Sequence, residues 1–115
     1  MKRLDSVYLE DIIDAIGKID EYIAGLTEEE FYENTLVQDS VVRRLEIIGE
    51  AVKNMPAELK RKYPAVNWKS ISGMRDIFAH AYFRISQKLV WRTITGELPI
   101  LKGQVAGMKN DLERE

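Results

Sequence analysis

The stretch "VYLEDIIDAIGKIDEYIAGL", residues 7–26, decides the fold class of this 115-residue chain. Its apolar residues recur three and four positions apart, a spacing that puts them on one face of an α-helix. The stretch therefore predicts a first helix over about residues 5–26. The residues predicted to recur on that apolar face are Val7, Leu9, Ile12, Ile13, Ile16, Ile19, Tyr22, Ile23 and Leu26.

The same helical period continues through the first half of the chain. Thr27 followed by Glu30 forms a capping box and predicts the start of a short second helix. Thr35 with Gln38 repeats this signal and predicts the start of a long third helix that ends before Pro56. The residues predicted to face inward on the third helix are Leu36, Val41, Leu45, Ile48, Val52 and Met55.

Two prolines and a tryptophan mark the middle of the chain. Pro56 suits the first turn of a helix, and Pro64 would stop it, so a short helix is predicted over residues 57–63. Residues 66–73 are predicted to form a loop with about one helical turn around Trp68.

The remaining sequence predicts further helices. One covers residues 74–83, Ser86 caps another that runs to about residue 95, and Pro99 opens the last. No stretch alternates with the period of a β-strand. We expect an all-α bundle of four or more helices with short additional helices, forming one domain over residues 1–115.

Composition narrows the chemistry and the setting. The chain has no cysteine, which excludes disulfides, thiolate zinc sites and cysteine nucleophiles. Acidic residues interrupt the N-terminus before any apolar run of the kind a signal peptide needs. No stretch approaches the roughly 20 apolar residues of a membrane span. We expect a soluble cytoplasmic protein with no membrane association.

Charge is distributed unevenly, although the net charge is only −2. Residues 1–59 hold six Lys or Arg against fourteen Asp or Glu, whereas residues 60–92 hold eight against one. A basic segment of this kind could bind a polyanion, or its charges could simply lie on solvated helix faces. Charge alone does not decide between these two interpretations.

The basic segment contains the only histidine of the chain, His80, in "GMRDIFAHAYFR" (residues 73–84). On a helix, Asp76 and His80 lie on one face, so the aspartate could orient the imidazole. Arg75 and Tyr82 also share a face, but Arg75 and His80 diverge by about 140°. Two copies of this helix could place both residues around one cleft. In an arbitrary helical protein, these residues would more often be structural.

Other chemistries have weaker support. A single histidine near one carboxylate offers too few ligands for a metal site, and no glycine-rich phosphate loop is present. Glu46 and Glu50 share a helix face with Arg43 close by, an arrangement that could be functional. The three residues could equally be ordinary exposed neighbours on the surface of a bundle helix, and we favour this second interpretation.

The segment "RDIFAHAY" (residues 75–82) resembles the R-x4-H-x-Y motif of the HepT-like toxins, a branch of the HEPN superfamily. Further blocks resemble the same family in the same order along the chain. They are "YLEDIIDAIGKIDEYIAGLTEEEF" (residues 8–31), "VVRRLEIIGEAVKNM" (residues 41–55), "YPAVNWKSISGMRD" (residues 63–76) and "VWRTITGELPIL" (residues 90–101).

This resemblance implies a HEPN-type helical bundle that dimerises through the motif helices and acts as a metal-independent endoribonuclease without a cofactor. Arg75 and His80 would be catalytic, and Asp76 would support them. The resemblance also implies a toxin–antitoxin module, in which a nucleotidyltransferase (MntA-like) antitoxin inactivates the toxin by adenylylating Tyr82. RNA cleavage needs one group as a base and another as an acid. A homodimer supplies two imidazoles from a chain that has one.

Arg84, Lys88 and Arg92 are the residues predicted to bind the RNA substrate, and their alternative role is to pair with the acidic N-terminal half. Tyr82 could likewise border the cleft or pack at the dimer interface. A non-catalytic helical module that binds a nucleotide or a partner is the main alternative function. A catalytically dead adaptor would be expected to have lost Arg75 or His80, and both are present.

Overall fold

A computed structural model describes residues 2–79 and 86–114, and the prediction of an all-helical chain is confirmed over these residues. Within them, seven α-helices and one π-helical turn follow one another, and no strand is found. The elements are α1 (Lys2–Ile23), α2 (Glu28–Glu33), α3 (Thr35–Asn54), α4 (Ala57–Arg61), α5 (Trp68–Ala79), α6 (Gln87–Arg92), the π turn (Thr93–Glu97) and α7 (Leu98–Arg114).

Helix α3 lies at the centre of the bundle. It packs against α1 on one side and α5 on another, and α1 also packs against α7. Most of the residues that the helical period predicts to face inward are buried in this core, and Leu36 is an exception with 77% of its surface exposed. Fully buried side chains of α1 and α3 include Leu9, Ile12, Ile16, Ile19, Val41, Leu45, Ile48 and Val52.

The capping box at α2 forms as predicted. The amide of Glu30 donates to Thr27 Oγ1 at 3.1 Å, and the amide of Thr27 donates to Glu30 Oε1 at 2.9 Å. The hydrogen bond from the backbone amide of Thr27, together with the interaction of the Thr27 side chain, stabilises the carboxylate and lowers the pKa of Glu30. The short helix buries Phe31, whose ring lies 5.2 Å from that of Trp91 on α6.

The cap of α3 differs from the predicted one. Asn34, not Thr35, caps the helix, because its Oδ1 accepts a hydrogen bond from the amide of Val37 at 3.0 Å. Gln38 is buried and donates instead to the carbonyl oxygens of Phe31 and Tyr32 at the end of α2. Gln38 thereby bonds two carbonyls at the end of α2, and that of Phe31 also accepts from the amide of Asn34 at 3.2 Å.

The predicted loop over residues 66–73 is wrong from residue 68 onward, where the helical turn expected around Trp68 is the start of a longer helix. Helix α5 begins at Trp68, since Asn67 Oδ1 accepts from the amide of Ser70 at 3.3 Å and caps the first turn. The indole of Trp68 donates to the carbonyls of Lys60 and Tyr63, both at 3.1 Å, and ties this end of α5 to α4. An asparagine cap was the signal that the sequence prediction overlooked.

The last helices confirm that Ser86 caps one helix and that Pro99 lies at the start of another. Ser86 Oγ accepts from the amide of Leu89 at 3.2 Å, and Pro99 lies in the first turn of α7. The π turn joins α6 to α7 without a break, with the amide of Leu98 donating to the carbonyl of Thr93. A proline cannot donate to the carbonyl four residues before it, and its ring clashes there in a regular helix. The wider π turn accommodates Pro99.

None of the helices in residues 2–79 and 86–114 is long and apolar enough to cross a membrane.

Candidate active site

Helix α5 carries the first residue of the motif, Arg75. Ile71 and Met74 are buried and anchor α5 against the core, whereas the side chain of Arg75 is 34% exposed. The guanidinium is therefore held on a fixed helix and still reaches solvent. A half-exposed arginine of this kind can stabilise negative charge on a phosphate.

Gly49 brings α3 and α5 into close contact at Arg75. A Cβ atom added at Gly49 would lie 2.6 Å from the backbone nitrogen of Arg75 and 3.0 Å from its Cβ atom. Only glycine permits this approach. The backbone of the motif arginine is thereby packed directly on the central helix of the bundle.

Glu50, the next residue of α3, forms an ion pair with Arg75. Its Oε2 atom contacts Nε of the guanidinium, and that oxygen has no access to solvent although the whole side chain is 47% exposed. The pair joins two helices through residues that are 25 positions apart in the sequence. It therefore restricts the orientation of Arg75 relative to α3.

A cleft of about 420 Å³ opens beside this ion pair, between α1, α3 and α5. Its lining contains three carboxylates and two guanidiniums, so its formal charge is −1. The lining residues are Tyr8, Asp11, Arg43, Glu46, Ile47, Glu50, Ala51, Asn54 and Arg75. Acidic groups outnumber basic ones in this lining, so Arg75 is one of two cations in a predominantly acidic cleft.

Of the predicted motif residues, Arg75 is the one whose side chain the structure describes. Asp76 follows it in α5, and its side chain is outside the described part. His80 and Tyr82 lie outside the described residues. The predicted positions of Asp76, His80 and Tyr82 around a common cleft therefore stay predictions.

The predicted RNA-binding residues are described in part. Lys88 and Arg92 are exposed, one turn apart on α6, and neither belongs to an ion pair within the described ranges. The pKa of Tyr32 on α2 is raised, mainly because its hydroxyl donates a hydrogen bond to the Glu28 carboxylate. The positive charge of nearby Arg92 acts in the opposite direction. Arg84 lies outside the described residues.

The sequence prediction missed Gly49 and favoured a non-functional interpretation of Glu50. Glu46 does pair with exposed Arg43 on the same helix, at 3.5 Å, as the favoured interpretation predicted. Glu50 likewise accepts a hydrogen bond from Asn54 Nδ2, four residues on, at 3.2 Å, and it also pairs with Arg75 on α5, a contact that this interpretation did not include. A glycine inside a helix costs about 1 kcal/mol relative to alanine, and Gly49 within α3 was the available signal of a close helix contact.

No group of three or more His, Cys, Asp or Glu side chains in the described part of the chain is arranged to hold a metal ion.

A family model described as "Ribonuclease HepT-like" matches residues 12–108. The chain belongs to the HepT-like ribonuclease family. The match includes the whole of α3 with Gly49 and Glu50, and the whole R-x4-H-x-Y motif.

Individual proteins of this family are similar over nearly the whole chain. "Probable ribonuclease HepT" of Thermococcus cleftensis is 42% identical over 104 residues, which cover 90% of this chain and 94% of that protein. A protein of Caldanaerobacter subterraneus subsp. tengcongensis named "Putative RNase" is 42% identical over 108 residues, covering 94% of each.

A longer relative contains the HepT-like region as one part. "Gamma-glutamylcyclotransferase and putative RNase" of Methanocaldococcus jannaschii is 37% identical over 114 residues. The aligned region is 99% of this chain and 51% of that protein, so this chain spans about half its length. No solved structure matches the chain.

Proposed function

We propose that this protein is a metal-independent endoribonuclease whose active site is completed across a homodimer. The observation that carries the proposal is the intact motif Arg75, His80 and Tyr82 in a member of the HepT-like ribonuclease family. The position of Arg75 on the rim of a cleft, on a helix anchored in the core, supports a role in phosphate binding.

The proposed reaction is an attack of the ribose 2′-oxygen on the adjacent phosphorus. One imidazole takes the 2′-hydroxyl proton, and a second imidazole gives a proton to the departing 5′-oxygen. The P–O5′ bond breaks as the new P–O2′ bond forms, which leaves a cyclic phosphate and a free 5′-hydroxyl. Each proton transfer contributes a factor of about 10²–10⁴ to the rate.

A homodimer provides the two imidazoles, because each chain has the single histidine His80. Arg75 then stabilises the charge that develops on the phosphate oxygens. On a helix, Arg75 and His80 would point about 140° apart around the helix axis. If two motif helices faced each other in a dimer, an arginine and a histidine from each chain could border one cleft. Asp76, one helical turn before His80, would orient the imidazole.

We also propose that the protein is the toxin of a cytoplasmic toxin–antitoxin pair. A nucleotidyltransferase antitoxin would transfer AMP from ATP to the phenol oxygen of Tyr82, which loses its proton as pyrophosphate is released. The added phosphodiester would bring negative charge and a bulky adenosine to the place where the RNA phosphate binds. RNA would then be excluded both by charge and by volume.

Incubation of the purified protein with labelled RNA in the presence of a chelator tests the proposed activity, with His80→Ala beside it. A non-catalytic binding module, the alternative function, would bind the RNA and leave it intact.

A further inference from the structure

We propose that Glu50 is a positioning residue for Arg75, whose carboxylate fixes the guanidinium in the orientation that meets the RNA phosphate. This inference rests on the proposed ribonuclease function and extends its active site from α5 to α3. The motif R-x4-H-x-Y does not include Glu50, which lies 25 residues before Arg75.

The first argument is the geometry of the ion pair. Glu50 Oε2 contacts Nε, the nitrogen nearest the aliphatic part of the arginine side chain, and that oxygen is shielded from solvent. This ion pair restricts where the guanidinium can lie relative to α3. A guanidinium carries five N–H groups, and Nε supplies one of them.

The second argument is that the backbone on both sides of the pair is fixed. Gly49 lets α3 approach the backbone of Arg75 directly, and the neighbouring Ile48 and Met74 are buried. The two side chains of the ion pair therefore start from rigid elements whose separation is set by packing. An active-site group held in this way loses less conformational freedom when the substrate binds.

The third argument comes from the other carboxylate on the same face of α3. Glu46 lines the same cleft, but its partner, Arg43, belongs to the same helix and is exposed. An ion pair within one helix does not fix one element relative to another. Glu46 therefore provides a matched control for Glu50.

The test compares Glu50→Gln with Glu46→Gln in two measurements. The first is the rate of RNA cleavage at saturating RNA. Glu50→Gln should lower kcat about tenfold or more, with a smaller change in KM, since misplacing a catalytic group by about 1 Å can cost a factor near 10². Glu46→Gln, which removes a carboxylate from the same cleft without touching the partner of Arg75, should lower kcat much less than Glu50→Gln does.

Introducing Glu50→Gln into an Arg75→Ala protein separates positioning from a general effect on folding. If Glu50 acts through Arg75, the second substitution should cause no further loss of activity. An equal loss in both backgrounds would show that Glu50 acts independently of Arg75, and would overturn the inference. Glu50→Asp, which keeps the charge on a shorter side chain, should have intermediate activity.

The second measurement does not depend on cleavage. The Nε–H proton of Arg75, assigned in ¹H–¹⁵N spectra by comparison with Arg75→Lys, should exchange slowly with water in the wild-type protein and in Glu46→Gln. It should exchange faster in Glu50→Gln. Unchanged exchange in Glu50→Gln would overturn the inference even if RNA cleavage is observed. Absence of cleavage by the wild-type protein would instead contradict the proposed function.

Discussion

A Cβ atom on Gly49 would lie 2.6 Å from the backbone nitrogen of Arg75, so the central helix of the bundle touches the backbone of the motif arginine directly. The next residue of that helix, Glu50, contacts the guanidinium of the same arginine. One turn of α3 thus fixes both the main chain and the side chain of Arg75. The chemistry proposed for this protein depends on that arrangement.

Gly49→Ala should destabilise the protein and lower its activity. Alanine is favoured over glycine by about 1 kcal/mol in a helix. Overpacking of a backbone contact costs about 1–3 kcal/mol and should exceed this gain. We expect a lower melting temperature and a reduced cleavage rate, because α5 must move away from α3.

Gly103→Ala is the matched control for Gly49→Ala. Gly103 lies in α7, and an added Cβ atom there would have no atom within 4 Å. This substitution should raise the melting temperature slightly and leave the cleavage rate unchanged. If Gly49→Ala stabilised the protein as much as Gly103→Ala, the close contact would have no energetic importance.

RNA binding should depend on the basic residues Arg84, Lys88 and Arg92. Neutralising cations that contact phosphates reduces the salt dependence of binding by about 0.7 per contact for a single strand. The triple alanine variant should therefore flatten the slope of log Kd against log salt by about 2. The measurement is a titration of labelled RNA at several salt concentrations.

A second triple variant controls for net charge. Lys18, Lys102 and Lys109 pair with Glu21, Asp20 and Glu10 respectively. Replacing these three lysines by alanine removes the same charge from a different face and should leave the slope unchanged. Equal slopes in the two variants would mean that Arg84, Lys88 and Arg92 do not form a specific RNA surface.

Mixed dimers should reveal whether the active site is shared. A dimer that pairs a wild-type chain with a His80→Ala chain has one imidazole where the proposed reaction needs two. It should therefore lose most of its activity. Differently tagged chains, copurified and assayed with labelled RNA, provide the measurement. Retention of half the wild-type rate would show that each chain acts alone.

Tyr82→Phe should separate cleavage from inhibition. The variant keeps the aromatic ring, so we expect nearly normal RNA cleavage, but it lacks the oxygen that would accept AMP. After incubation with the cognate nucleotidyltransferase and ATP, the wild-type protein should gain the mass of one AMP group. A gain of the same size on Tyr82→Phe would place the modification on another residue.

Most of the core could be predicted from sequence because the spacing of apolar residues within one helix shows which face of that helix is buried. Val41, Leu45 and Ile48 follow the helical period and are buried as expected, since a helix repeats its faces every three or four residues. Leu36 follows the same period near the start of α3, but it is exposed. The period could not predict this exposure, because it does not show where a neighbouring helix ends.

The environment of the motif arginine could not be predicted in the same way. Glu50 and Arg75 lie on different helices, and their contact depends on how α3 and α5 pack together. The sequence shows one part of this arrangement, a glycine inside an amphipathic helix, but it does not show which helix approaches that glycine. The roles proposed for His80 and Tyr82, which lie in residues 80–85, are based on the motif and on the family.

Cleavage of labelled RNA in the presence of a chelator tests the central claim most directly. The wild-type protein and Ser70→Ala, an exposed substitution on α5, should both cleave the RNA. Arg75→Ala and His80→Ala should each lose activity by a factor of at least about 10². Equal cleavage by the wild-type protein and His80→Ala, or cleavage that the chelator abolishes, would contradict a metal-independent site built on Arg75 and His80.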